Sequence, residues 1–141
     1  METAEVIAEN DVTKAGLAEI FKRAFLRTSF DNDGDLIVDI DGARIIITLD
    51  QANKLIRFMY IYPTKKSVDV NAKQIVINRL NNELMFTRFA IPQERPDLLV
   101  ADYYISYEEG IPAFQLVSAV RLLRRVILGA MRICDQNGIL D

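Results

Sequence analysis

The chain has 141 residues with a formal charge of −3; it is 50% apolar and 26% charged, with one cysteine and no histidine. Lacking histidine, it has neither the usual neutral-pH proton shuttle nor the commonest transition-metal ligand, which excludes zinc hydrolases, Ser-His-Asp triads and Cys-His nucleophiles. Cys134 has no second thiol to bridge within the chain, and the mild negative charge supplies no general attraction to nucleic acid or anionic membrane.

The length suits one domain over residues 1–141, with residues 1–10 as a loosely ordered N-terminal segment. No run reaches the roughly 18–20 uninterrupted apolar residues needed to cross a bilayer. The longest candidate, Ile111 to Cys134, is broken by Arg121, Arg124, Arg125 and Arg132. A cytoplasmic protein is expected.

A weak helical turn is expected around Val6 and Ile7, and a strong one follows. Leu17, Ile20, Phe21, Ala24 and Phe25 recur at helical spacing, with Asp11 or Thr13 as the cap and Lys22, Arg23 and Arg27 near the end. The acidic stretch Asp31 to Asp35 reads as a turn around Gly34. A calcium loop fails in either frame: one puts Leu36 where glycine is required, the other puts Ile40 at the last ligand position. Leu36 to Ile40 and Arg44 to Leu49 are strands joined by the hairpin dipeptide Asp41-Gly42. Lys54 to Tyr62 is the third strand, ended by Pro63.

Ser67 or Asp69 caps a second helix running to about Asn82, with Ala72, Val76, Ile77, Leu80 and Leu84 on its apolar side. Asn71, Gln74, Asn78, Asn81 and Asn82 form an amide stripe on this helix. Uncharged amides at that spacing suit pairing with exposed backbone, a partner's polar groups, or plain solvent; Asn81 or Asn82 can also satisfy the helix end. Leu84 to Ala90 is expected as strand four and Leu98 to Tyr107 as strand five, with Tyr103, Tyr104 and Tyr107 in its second half. Pro112 opens the last helix, which runs to about Asp135 with Gly138 beyond it.

The last helix is asymmetric. Leu116, Val120, Leu123, Ile127, Ala130, Met131 and Cys134 share one side; Arg121, Arg124, Arg125 and Arg132 occupy a stripe opposite. Leu122, Val126 and Ile133 widen the apolar arc beyond what one sheet face needs. This marks either a thoroughly buried helix or a surface shared with a partner chain. The arginines suit a small-anion site or a salt-bridged surface. Nothing converges with the carboxylate pairs Asp39/Asp41 and Glu108/Glu109, and the six glycines form no phosphate loop.

The resulting fold class is α+β, in the order α-β-β-β-α-β-β-α, with an antiparallel five-stranded sheet packed by helices. Five segments carry a resemblance: the hairpin Leu36 to Gly42, Leu55-Ile56-Arg57-Phe58, Ile77-Asn78-Arg79-Leu80-Asn81, Met85 to Ile91 with its Arg88-Phe89 pair, and the helix Phe114 to Met131. Together, from about Ala15 to Arg132, they resemble the YbjN family of bacterial proteins and its type III secretion chaperone-like fold. That resemblance implies a cytoplasmic, dimeric bacterial protein described as a sensory transduction regulator. It also implies relatives that bind unfolded segments of secreted effectors, and it supplies no catalytic residue.

The expected function is therefore a non-enzymatic, homodimeric protein-interaction domain without metal or cofactor. Its partners would be a second copy and an unidentified polypeptide, met through Tyr103, Tyr104, Tyr107, Leu122, Val126 and Ile133. The alternative is a ligand-sensing regulator that holds a small anion on Arg121, Arg124, Arg125 and Arg132.

Overall fold

The computed structural model describes residues 5–141; residues 1–4 of the N-terminal segment expected to be loose lie outside the described residues. Its elements are β1 (Val6–Ile7), a 3-10 turn (Glu9–Asp11), α1 (Lys14–Arg23), β2 (Arg27–Phe30), β3 (Leu36–Ile40) and β4 (Ala43–Asp50), then β5 (Leu55–Pro63) and α2 (Val70–Glu83). β6 (Arg88–Ala90), β7 (Leu98–Ser106), β8 (Ile111–Pro112) and α3 (Ala113–Gln136) complete them. The architecture is α+β. Its main sheet has six strands in the order β2-β3-β4-β5-β7-β6, and β1 and β8 form a separate pair. The chain forms two compact units, Met1–Phe58 with Tyr104–Leu122 and Met59–Tyr103 with Leu123–Asp141.

In the first unit, the Thr13 hydroxyl caps α1 by accepting from the Gly16 N–H at 3.0 Å. Leu17, Ala18, Ile20 and Phe21 are buried, and α1 lies against β2 and β3. Helical spacing also assigns Phe25 and Arg27 to this helix, and here the structure differs. Phe25 takes a left-handed backbone, φ 64°, which ends the helix. Leu26 N–H then donates to Phe21 O at 3.0 Å and Phe25 N–H to Lys22 O at 2.9 Å, the two bonds of a Schellman stop. The chain leaves as β2, the sixth strand that the sequence reading lacks, pairing antiparallel with β3 from Arg27↔Asp39 to Phe30↔Leu36.

The β3–β4 hairpin follows its sequence signal. Asp41 and Gly42 both have positive φ, 50° and 83°, as a twisted two-residue turn requires. Val6 and Ile7 form no helical turn: they pair with Pro112 and Ile111, because the extended segment before α3 offers a ladder partner. Ala113 N–H extends that pairing to Glu5 O at 2.8 Å.

In the second unit, Asp69 caps α2 by accepting from the Asn71 N–H at 3.0 Å. Val76, Ile77 and Leu80 face the core as expected, but Ala72 is exposed and Lys73 is buried in its place. Strand four begins at Arg88 and not at Leu84, because Phe86 adopts φ 80° and breaks the extended run. Its ring stacks on Tyr103 with centroids 3.8 Å apart. On α3, Leu123, Ile127, Ala130 and Cys134 are buried, and the Tyr62 hydroxyl donates to Ile127 O at 3.0 Å. Burial raises the Tyr62 phenol, and the neighbouring Cys134 and Tyr60 add to that. Gly138, φ 65°, stops α3 by the same paired bonds seen at Phe25, Ile139 to Cys134 O and Gly138 to Asp135 O.

Candidate binding surface

Sheet edges present unpaired N–H and C=O groups and are natural sites for adding an extended segment. The two outermost strands are treated very differently. At β6, the Asn81 carboxamide binds both backbone polar groups of Phe89: Nδ2 donates to Phe89 O at 3.0 Å, and Oδ1 accepts from Phe89 N–H at 2.9 Å. One side chain therefore occupies the place of a further strand. Within the amide stripe, Asn81 alone reaches the sheet. Asn82 turns back onto its own helix, donating to Asn78 O at 2.7 Å, and Asn71, Gln74 and Asn78 are exposed.

The edge at β2 is open. Among the described residues β2 pairs with β3 only, and three of its four residues are exposed. Phe30 at one end is 52% exposed, and Phe25 just before the other end is 96% exposed. A bulky side chain in a left-handed conformation is uncommon and costs of order 1–3 kcal/mol. Here that strain falls on a side chain that packs against almost nothing, which makes Phe25 a candidate contact residue. Beside it lies a cleft of about 290 Å³ lined by Phe25, Arg27, Asp39 and Asp41. Helical periodicity assigns Phe25 to the core and does not reveal this candidate surface; the sequence signal nearest to it is Phe30 beside an Asp-rich turn.

The residues singled out from sequence differ in exposure. Tyr103 is half-buried under Phe86, and Tyr104 is exposed with the Arg57 guanidinium 5.6 Å from its ring centroid. Tyr107 is buried, with Lys54 5.9 Å above its ring. Leu122, Val126 and Ile133 are half-buried. Arg121, Arg125 and Arg132 are exposed, and Arg124 is half-buried.

Asp31 Oδ1 accepts from the N–H groups of Asp33 and Asp35, both at 2.9 Å, so the acidic turn is closed by its own backbone. No cluster of three metal-ligating side chains occurs among the described residues. Asp102, its side chain 3% exposed, is held bidentately by Arg88 at 3.0 and 2.8 Å across the β6–β7 pair. Burial and the Asp135 charge push the Cys134 thiol up to about 11, which favours its protonated form. No described helix is long and apolar enough to cross a membrane.

Helices and an antiparallel sheet with one closed and one open edge make an α+β fold of the type III secretion chaperone-like kind. The chain belongs to the YbjN family, described as "Putative bacterial sensory transduction regulator", whose pattern it matches over residues 13–130. Its fold is similar to that of YbjN from E. coli: TM-score 0.73 at 14% identity, covering 90% of this chain and 94% of that one. It is also similar to a chain of the HopA1–SchA chaperone–effector complex, with TM-score 0.56 and 16% identity over 78% of this chain and 86% of that one. The Yersinia pestis type III secretion chaperone SycH, solved with a fragment of YscM2, matches with TM-score 0.55 and 14% identity over 85% and 98%. At these identities the likeness establishes the fold. Among curated proteins none matches this sequence closely enough to add a relative.

Proposed function

We propose that this chain is a cytoplasmic, homodimeric, non-enzymatic binding protein that takes an extended polypeptide segment along the outer side of β2. The observation that carries the reading is the asymmetry of the edges: Asn81 closes β6, whereas β2 is left open between Phe25 and Phe30. Backbone pairing would supply affinity, and the two phenylalanines would supply side-chain anchors. The chaperone-like neighbours solved with an effector or a fragment support a polypeptide as partner.

The test is a binding titration with the polypeptide that co-purifies from the source cell. Phe25→Ser with Phe30→Asp should weaken binding at least tenfold, and equal affinity would reject the edge. Light scattering behind size exclusion tests the dimer; a monomer at tens of micromolar rejects it. A second reading, anion sensing, draws on α3: Arg121, Arg125 and Arg132 are exposed without a carboxylate partner among the described residues. Thermal stabilisation by an anion that disappears in Arg121→Ala/Arg125→Ala would favour it.

A further inference from the structure

The second unit holds a cavity of about 510 Å³ between the start of α2 and the Gln93–Asp97 loop, a size suited to a metabolite. One of its lining residues is Lys73, only 2% exposed. A buried ammonium is costly unless a counter-charge and hydrogen bonds satisfy it. Lys73 Nζ has one acceptor, Pro96 O at 3.1 Å, and no carboxylate within ion-pair reach among the described residues. Two of its three donors lack a protein acceptor.

One of the two carboxylates lining the cavity is already committed. The Asp97 carboxylate is gripped by Arg95 at 3.1 and 3.0 Å. That grip holds its pKa below the usual carboxylate range, with Lys66 adding to the field. The five ionised lining groups are Lys66, Lys73 and Arg95 against Glu94 and Asp97, leaving the wall net positive. Val68, Val70 and Pro96 give it an apolar side.

We infer that this cavity binds a small organic oxyanion, a carboxylate or phosphate carried on an apolar body, with its headgroup on Lys73. The site shares no lining residue with the β2 cleft and includes none of the α3 arginines, and it does not depend on the polypeptide-binding reading. The headgroup would take the two remaining Lys73 donors, and the body would lie on the valines.

Thermal unfolding of the full chain with inorganic phosphate or with butyrate, each against chloride at equal ionic strength, tests it. At a concentration about tenfold above Kd, the midpoint should rise by roughly 3–6 °C. Phosphate acting alone assigns a phosphoryl ligand, and butyrate acting alone or better assigns a carboxylate. Lys73→Met keeps the stem and removes the charge. It should abolish the rise, whereas Arg121→Ala/Arg125→Ala should keep it. If Lys73→Met does not fold, Lys66→Ala with Arg95→Ala provides the second reading and should cut the affinity at least fivefold. No rise with either anion, or a rise unchanged in the lysine variants, overturns the inference.

Discussion

Asn81 and Phe89 are joined by two hydrogen bonds, 3.0 and 2.9 Å, that run from a helix side chain to both polar groups of one strand residue. A single carboxamide thus does for β6 what a neighbouring strand would do. Removing it leaves a partly buried N–H and C=O to find water at an edge. Asn81→Ala should cost about 1–2 kcal/mol in urea unfolding, while Asn82→Ala, whose amide bonds only within α2, should stay within about 0.5 kcal/mol. Equal effects at the two positions would contradict the edge-closing role.

Phe25 should respond in the opposite sense. Its left-handed backbone favours glycine, and at 96% exposure its ring contributes almost no packing. Phe25→Gly is expected to raise stability by roughly 0.5–1 kcal/mol, read as a higher unfolding midpoint. A gain in stability together with a loss of polypeptide binding would identify the residue as one kept for function at a structural cost.

Gly110 has φ 102°, and a Cβ there would stand 2.9 Å from Ile7 O. Gly110→Ala must therefore displace the β1 backbone or distort the turn, at a cost of about 1–3 kcal/mol. Hydrogen exchange should localise the damage, with the β1–β8 pair losing protection first.

The Arg88–Asp102 pair has unequal members: the arginine side chain is 64% exposed, the aspartate 3%. Removing the exposed partner strips two charge-assisted bonds from a buried carboxylate. Arg88→Ala should destabilise by about 1–3 kcal/mol, while water reaching the vacated side keeps the cost below that of a fully buried pair. Chemical denaturation checks this, and a change under about 0.3 kcal/mol would show that the pair is incidental.

Alkaline pH supplies a further test. The Cys134 thiol has a folded pKa raised from 9.0 to about 11, chiefly by burial, and the Tyr62 phenol is raised as well. The folded state keeps protons that the unfolded chain releases. The stabilisation is complete below the unfolded thiol value of 9.0 and is lost as pH rises through about 11. The urea midpoint should fall between pH 8 and pH 10.5, and Cys134→Ala should fall less. The native thiol should also resist alkylation at pH 8 and react once unfolded.

The sequence by itself determined the α+β class, the hairpin at Asp41-Gly42, the buried face of α3 and the exclusion of histidine chemistry. These features follow from local periodicity, turn residues and inventory, which need no knowledge of distant neighbours. Only the tertiary structure decided that Phe25 leaves the helix, that Arg27–Phe30 becomes a sixth strand, and that Lys73 sits in the core position Ala72 was expected to fill. The sixth strand is settled by non-local pairing: β3 offers ladder bonds to a segment whose helical spacing is only a weak preference. The candidate surface follows the same division. The amide stripe was legible as a row of hydrogen-bonding groups, but choosing Asn81 from it required Phe89 to be folded against it, eight residues away along the chain.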